Sequence, residues 1–452
     1  MEWSKLISAQ RFGLEEFHEE RHENRTEFQR DFDRLIFSPP FRRLQNKTQV
    51  FPLPGSIFVH NRLTHSIEVS CVGRSLGNDV ARGILEKEPA LQSTNLPEIG
   101  AIVSAGCLAH DLGNPPFGHF GERAFSTFFS EGNGLPLKEK LTEEQWNDLT
   151  HFEGNANTFR LLTHQFEGRR KGGFVLTYST LASIVKYPYS SSHANKKGKF
   201  GFFTTERESY ERIAEKLGVK KLGDQIYARH PLVYLVEAAD DICYEIMDIE
   251  DSFKLKILSL QETKDLLLGY FPEDRRVKME KTLNLVSDHN EQIAYLRSNV
   301  IGLLTHECTQ AFLDHEQKIL DGTFEGSLIS HISELPANAY KHCCKVAYER
   351  IYKSRDVVDI EVAGFRIIGT LIDLMTEAVL SPEKAYSQLL INRVSSQYNM
   401  KSPALFERIQ AVLDYVSGMT DVFALDLYRK LNGIAYRQFN LSLGKSLCFV
   451  QK

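Results

Sequence analysis

The chain has 452 residues, 42% of them hydrophobic and 25% charged, with a formal net charge of -5. That hydrophobic content excludes a disordered chain, and the slight acidic balance excludes a chain-wide attraction to nucleic acid or an anionic membrane, so any polyanion site must be local. Seven cysteines (Cys71, Cys107, Cys243, Cys308, Cys343, Cys344 and Cys448) lack CxxC spacing, which argues against a disulfide framework or a zinc ribbon and for a reducing cytoplasm.

The first 34 residues are charged throughout and lack the apolar core of a signal peptide, and no apolar run elsewhere reaches membrane-spanning length. A soluble, unexported protein is expected. The first structured signal is Thr48 to Val59, where two apolar runs flank Pro54-Gly55, and it predicts a small β-hairpin. From Asn61 onward, apolar residues recur at three- and four-residue spacing and predict helix. The same rhythm returns at about 98–110, 122–130, 152–166, 230–250, 289–320, 337–353, 358–379 and 403–430. Residues 188–201, PYSSSHANKKGKFG, read as a mobile basic loop. A mostly α architecture in one body, 1–452, is therefore expected, without internal repeats or linkers.

Chemistry concentrates in a few places. His110 and Asp111 end an apolar stretch, and Pro115-Pro116 stop any helix soon after Asn114. A lone His-Asp pair is ordinary capping chemistry. His65, near the start of an earlier helix, and Asp240, in an apolar-rich one, would complete a mixed nitrogen/oxygen set suited to a divalent ion with open positions for water. Asp240, Tyr244 and Asp248 recur every fourth residue, so they share one helix face among apolar neighbours. Buried acids on such a face need partners, which a metal or a sugar hydroxyl would supply.

The segments RRLQNKTQVFPLP at 42–54, NRLTHSIEV, HDLGNPPFGHFGE, HFEGNAN at 151–157, EAADDICYEIMDIED at 237–251 and YVSGMTD at 415–421 together resemble the bacterial dGTP triphosphohydrolases, the deoxynucleotide-cleaving branch of the HD-domain phosphohydrolases. The resemblance implies an HD-domain helical bundle at 60–250. A helical C-terminal region at 251–452 would complete the substrate site and oligomer contacts. It implies His65, His110, Asp111 and Asp240 as ligands of a divalent cation (magnesium, manganese, iron or cobalt), and His119 with Glu122 as the catalytic pair. It further implies Gln49 and Asp248 on the deoxyribose 3'-hydroxyl, Tyr244 beneath the sugar, Arg62, Lys186 and Tyr187 on the phosphates, and Glu361 and Arg393 on guanine. The implied reaction converts a dNTP, dGTP favoured, into deoxynucleoside and inorganic triphosphate. The implied assembly is a homo-oligomer, hexamers included.

Two other readings follow from the same residues. One is a different HD-type nucleotidase or phosphodiesterase, which would not need the sugar clamp of Gln49, Tyr244 and Asp248. The other is a nucleotide- or single-stranded-DNA-binding regulator, for which Lys196, Lys197 and Lys199 beside Phe200, Phe202 and Phe203 offer cations and stacking rings.

Overall fold

Two long helices meet where the sequence supplies no side chain to keep them apart. In the computed structural model, which describes residues 1–16, 25–51 and 59–434, helix α1 (Arg62–Lys87) lies against α2 (Ile99–Ala109). A Cβ at Gly73 would overlap Cys107 Sγ, and one at Gly77 would stand 2.8 Å from Gly100 Cα. Glycine permits that approach, and the approach brings the start of α1 beside the end of α2. Asn61 caps α1 by accepting from the Thr64 N–H at 3.0 Å while Thr64 Oγ1 accepts from the Asn61 N–H at 3.2 Å, which fixes His65 in the first turn.

α2 ends at Ala109, ahead of Pro115 and Pro116, and Phe117 takes a left-handed conformation (φ 62°) before α3 (Gly118–Ser130) begins. A bulky residue rarely adopts that conformation, and here two contacts from far along the chain hold it. Its N–H donates to Asp421 Oδ1 at 3.0 Å, and its ring lies where a Cβ at Gly364 would otherwise be. Helix α4 (Gly154–Thr163) follows. Next comes a short antiparallel pair, β1 (Lys221–Gly223) and β2 (Ile226–Tyr227), with Lys221 opposite Tyr227. Helix α5 (Pro231–Lys254) starts with proline in its first turn, where no N–H is needed, and is buried along most of its length. It runs between α1, α2 and α6 (His289–Asp314), whose Ile293, Leu296, Val300, Leu304 and Phe312 are buried at helical spacing.

The apolar interior falls into two clusters. One is built on α1, α2, α5 and α6. The other joins Phe125, Phe129, Phe152, Phe200 and Phe203 to α7 (Arg355–Leu380), α8 (Leu405–Ser417) and α9 (Asp421–Leu431), so the C-terminal helices close over the segment that follows the His-Asp pair. Buried Arg160 ties the same regions together. Its Nε and Nη2 donate to the two oxygens of Asp414, each at 2.8 Å, and its Nη1 donates to Glu206 Oε1 at 2.6 Å.

The mostly helical fold expected from the periodicity is observed. The expected hairpin at 48–59 falls largely on residues 52–58, outside the described residues; of its flanks, Thr48 and Asn61 form one antiparallel bridge. The pair at 221–227 was not expected, being too short to carry a period. The basic loop at 188–201 is tied down: Tyr189 bridges Ile226, Ser190 bridges Phe202, and Asn195 Oδ1 accepts from the N–H groups of Lys197 and Lys199 at 2.9 and 3.1 Å. Phe200, Phe202 and Phe203 are all buried, so they cannot stack on nucleic-acid bases, which removes this loop as the expected strand-binding surface. Among the described residues no helix is long and apolar enough to cross a membrane, and the six described cysteines are free thiols.

Candidate active site

The first turn of α1, the end of α2 and the middle of α5 converge on a cavity of about 230 Å³. His65, His110, Asp111 and Asp240 all line it. His65 Nε2 lies 3.0 Å from Asp240 Oδ1, and the rings of His65 and His110 are 5.4 Å apart. His110 donates from Nδ1 to the Cys107 carbonyl at 2.6 Å, which fixes the tautomer and aims Nε2 into the cavity. That Nε2 is buried without a hydrogen bond, 3.5 Å from Asp240 Oδ1 and 3.6 Å from Asp111 Oδ1.

Ligand atoms of His65, His110 and Asp111 lie within 4.8 Å of one another, and the orphaned imidazole nitrogen stands among them. Two neutral-capable nitrogens and two carboxylates are the donor set a first-row or hard divalent cation takes, so these residues fit one. Electrostatics agree. Burial alone would push His110 down, but Asp111 and Asp240 push it up to about 9. Burial would raise Asp240, yet His110 and His65 hold it well below the usual carboxylate range. The two carboxylates thus favour positive charge between them, which a bound cation would supply. Burial likewise opposes ionisation of Asp111, and Arg62, donating from Nη1 to its Oδ2 at 2.7 Å, keeps it ionised. Asn114 Nδ2 donates to its other oxygen.

His119 and Glu122 stand one turn apart on α3, as their spacing requires once the stretch is helical. His119 Nδ1 is 2.8 Å from Glu122 Oε2, and the imidazole is 71% exposed at the cavity rim. Glu122 is buried. It accepts from the Gly154 N–H at 3.0 Å and from Lys199 Nζ at 3.3 Å. Burial opposes its charge, but His119 and Lys199 lower its pKa, and its charge in turn raises that of His119.

The other expected residues divide. Gln49, Arg62, Lys186, Tyr187 and Tyr244 line the cavity. Gln49 Oε1 and Arg62 Nε are buried without hydrogen bonds, Lys186 pairs with Glu237 Oε1 at 3.1 Å, and the Tyr244 ring meets His65 edge-on at 6.3 Å. Asp248 lies one turn beyond Tyr244 and does not line the cavity; its Oδ2 accepts from Tyr352 Oη at 2.6 Å, and burial pushes its carboxyl well above the usual range. Glu361 and Arg393 also stand outside the lining. Glu361 is paired with Arg123 on α3, and Arg393 is exposed at the end of the helix Ala385–Arg393.

Sequence reasoning missed Lys199, Asn114 and Asn155, which line the cavity as well. Lys199, expected on a nucleic-acid-binding loop, instead bridges Glu122 and Glu153 through Nζ, the latter at 2.6 Å. Asn114 lies in HDLGNPP and Asn155 in HFEGNAN. Gly154 has a packing reason, since a Cβ there would stand 2.0 Å from Asn114 Oδ1 and 2.6 Å from Glu122 Oε1.

Comparison with known proteins agrees with this geometry. Residues 62–187 match the HD domain, and residues 330–430 match the phosphohydrolase-associated domain. The chain is 36% identical over 446 residues to a deoxyguanosinetriphosphate triphosphohydrolase-like protein of Pseudomonas aeruginosa, covering 96% of this chain and 99% of that one. It is 37% identical over 450 residues to a protein of the same description from Synechocystis sp., covering 96% and 100%. To a deoxyguanosinetriphosphate triphosphohydrolase of Yersinia enterocolitica it is 30% identical over 512 residues, covering 95% and 99%. With near-complete coverage of both partners and the HD residues gathered in one cavity, the chain belongs to the deoxyguanosinetriphosphate triphosphohydrolase family of HD-domain hydrolases.

Proposed function

We propose that the chain hydrolyses deoxynucleoside triphosphates, dGTP favoured, to deoxynucleoside and inorganic triphosphate, with a divalent cation held by His65, His110, Asp111 and Asp240. The observation that carries this reading is the meeting of those four side chains in one cavity with the His119–Glu122 pair on its rim. A cation bound there supplies Lewis acidity, polarising a phosphoryl oxygen and acidifying water.

The chain's own residues do the rest. Arg62, Lys186 and Lys199 present charge to the phosphates, and each is already oriented by a carboxylate. Water attacks the α-phosphorus in line with the 5'-oxygen; the new oxygen–phosphorus bond completes inorganic triphosphate as the bond from phosphorus to the 5'-oxygen breaks, and the deoxynucleoside leaves on that oxygen. The departing 5'-oxygen needs a proton. His119, with Nδ1 committed to Glu122, offers it from Nε2, and the Glu122 charge, which raises its pKa, favours the acid form. Tyr244 beneath the sugar would collide with a ribose 2'-hydroxyl, and Gln49 has a free oxygen for the 3'-hydroxyl. Asp248 would join Gln49 by exchanging its bond from Tyr352. Glu361 and Arg393 would reach guanine only if the base extends past the cavity toward α7. In this reading 60–250 is the catalytic core and 251–452 completes the substrate side and the contacts of a homo-oligomer.

The test is a panel of dNTPs and NTPs offered with magnesium, manganese, iron(II) and cobalt, with chromatography of the products. Intact triphosphate from dGTP is expected. Stepwise release of orthophosphate, or activity on cyclic nucleotides alone, would refute the reading.

A further inference from the structure

The two imidazoles of the catalytic cavity have a counterpart outside it. His65 and His110 have ring centroids 5.4 Å apart, with their planes at 65°. His315 and His331, neither of which lines that cavity, have theirs 5.1 Å apart, with their planes at 63°. Two imidazoles bound to one tetrahedral ion, with metal–nitrogen bonds of about 2 Å, have centroids about 5 Å apart, so this spacing fits a shared ion. Phe324 packs beneath both rings, 5.3 Å from His315 and 4.6 Å from His331. Packing on Phe324 accounts for where the rings lie, but not for which nitrogen each leaves free.

The main chain makes that choice. His315 follows α6, and its Nδ1 lies 2.9 Å from the Ala311 carbonyl, which can only accept, so this nitrogen carries the proton. His331 closes the turn Leu328–His331, with Nδ1 3.0 Å from the Ser327 carbonyl and 3.1 Å from Ser330 Oγ. That hydroxyl already donates to the Ser327 carbonyl at 2.6 Å, so Nδ1 is again the donor. Each Nε2 therefore keeps a lone pair, and neither has a hydrogen-bond partner among the described residues. His110 is held in the same way, Nδ1 on a carbonyl one turn back, and such anchoring is what orients ligand imidazoles. His315 also caps the C-terminus of the 26-residue α6, whose free carbonyls favour positive charge.

We infer that His315 and His331 form a second metal site, taking one zinc, nickel(II) or copper(II) ion through their Nε2 atoms, with water in the remaining positions. Among the described residues no carboxylate joins the pair, and imidazoles alone disfavour magnesium and manganese, which prefer oxygen. His331 is exposed and His315 half-buried, so an ion reaches them from solvent. Bound there, it clamps the end of α6 to the turn 328–331. Phe324 carries the clamp to α5, since its carbonyl accepts from Tyr234 Oη at 3.2 Å and its ring meets that of Tyr234 edge-on at 5.2 Å.

Equilibrium dialysis of the full-length protein without a histidine tag, stripped with EDTA and then held against zinc sulfate, tests this, with bound metal counted by mass spectrometry. Wild type is expected to hold one zinc more than His315→Gln or His331→Gln, and Asp240→Asn, weakened at the catalytic site, is expected to keep that zinc. In the Asp240→Asn background each histidine replacement should weaken zinc binding at least tenfold, and magnesium should not displace the ion. Because the count is of metal rather than turnover, it stands whatever the protein hydrolyses. His331→Gln, at an exposed position, decides the matter even if His315→Gln folds poorly. Wild-type zinc binding by His331→Gln, or by a folded His315→Gln, overturns the inference, as does displacement by magnesium.

Discussion

The backbone N–H of Phe117 donates to Asp421 Oδ1 at 3.0 Å, tying the start of the helix that carries His119 to a residue 304 positions away in the chain. The second oxygen of Asp421 accepts from the Thr48 N–H at 2.8 Å, next to Gln49. One carboxylate therefore ties down the start of the helix that bears the rim histidine and the backbone next to Gln49, both of which line the cavity. Asp421→Ala is expected to cost about 2 kcal/mol of stability, the range for hydrogen bonds to a charged group. It is also expected to lower kcat/KM at least tenfold at temperatures where the variant is still folded. Urea denaturation and steady-state kinetics on one preparation separate the two effects.

The His119–Glu122 pair makes a pH statement. Glu122 raises the pKa of His119, so replacing it with glutamine returns the imidazole toward its ordinary value. A group acting as an acid loses activity as pH rises through its pKa, and Glu122→Gln should therefore move the alkaline limb of the kcat profile to lower pH. His119→Ala should cut kcat by about 10²- to 10⁴-fold, the usual worth of a positioned acid, with bound metal unchanged by elemental analysis. An unshifted profile for Glu122→Gln would remove the acid role.

Metal retention should depend on α5. Asp240→Asn keeps the shape but removes the charge that faces His65 and His110. Metal stoichiometry by mass spectrometry is expected to fall below one tenth of wild type, with the circular-dichroism spectrum preserved.

Gly154→Ala tests a contact rather than a charge. The added methyl would press on Asn114 Oδ1 and Glu122 Oε1, and overpacking of this kind costs about 1–3 kcal/mol. Because both neighbours serve the site, kcat should fall more than tenfold while the fold survives. Normal kcat would mean that Glu122 can shift freely.

His60 supplies a pH-dependent part of stability away from the chemistry. Burial opposes its charge, but Asp251 and Glu68, at 2.9 and 3.2 Å, push its pKa up to about 10. The folded state thus holds this proton more tightly than the unfolded chain, whose histidine titrates near 6.5. The contribution is fully present below pH 6.5 and is lost as pH rises through 10. His60→Gln should cost about 3 kcal/mol at pH 6, as for a broken buried pair, and the gap to wild type should close toward pH 10 in guanidinium titrations.

By itself the sequence determined the helices and the residues able to hold a cation. The helical period and the face shared by Asp240 and Tyr244 are set within a few residues, and each is observed. Only the tertiary structure decided which partner each buried polar group takes, because that depends on segments brought together from far along the chain. Lys199 came to line the cavity when its turn folded against Glu122 and Glu153, while Phe200, Phe202 and Phe203 turned inward. Asp248 was claimed by Tyr352 and Glu361 by Arg123, pairings across 104 and 238 residues that no local pattern encodes. Spacing along one helix constrains direction, but the satisfaction of a buried charge is settled by what packs against it.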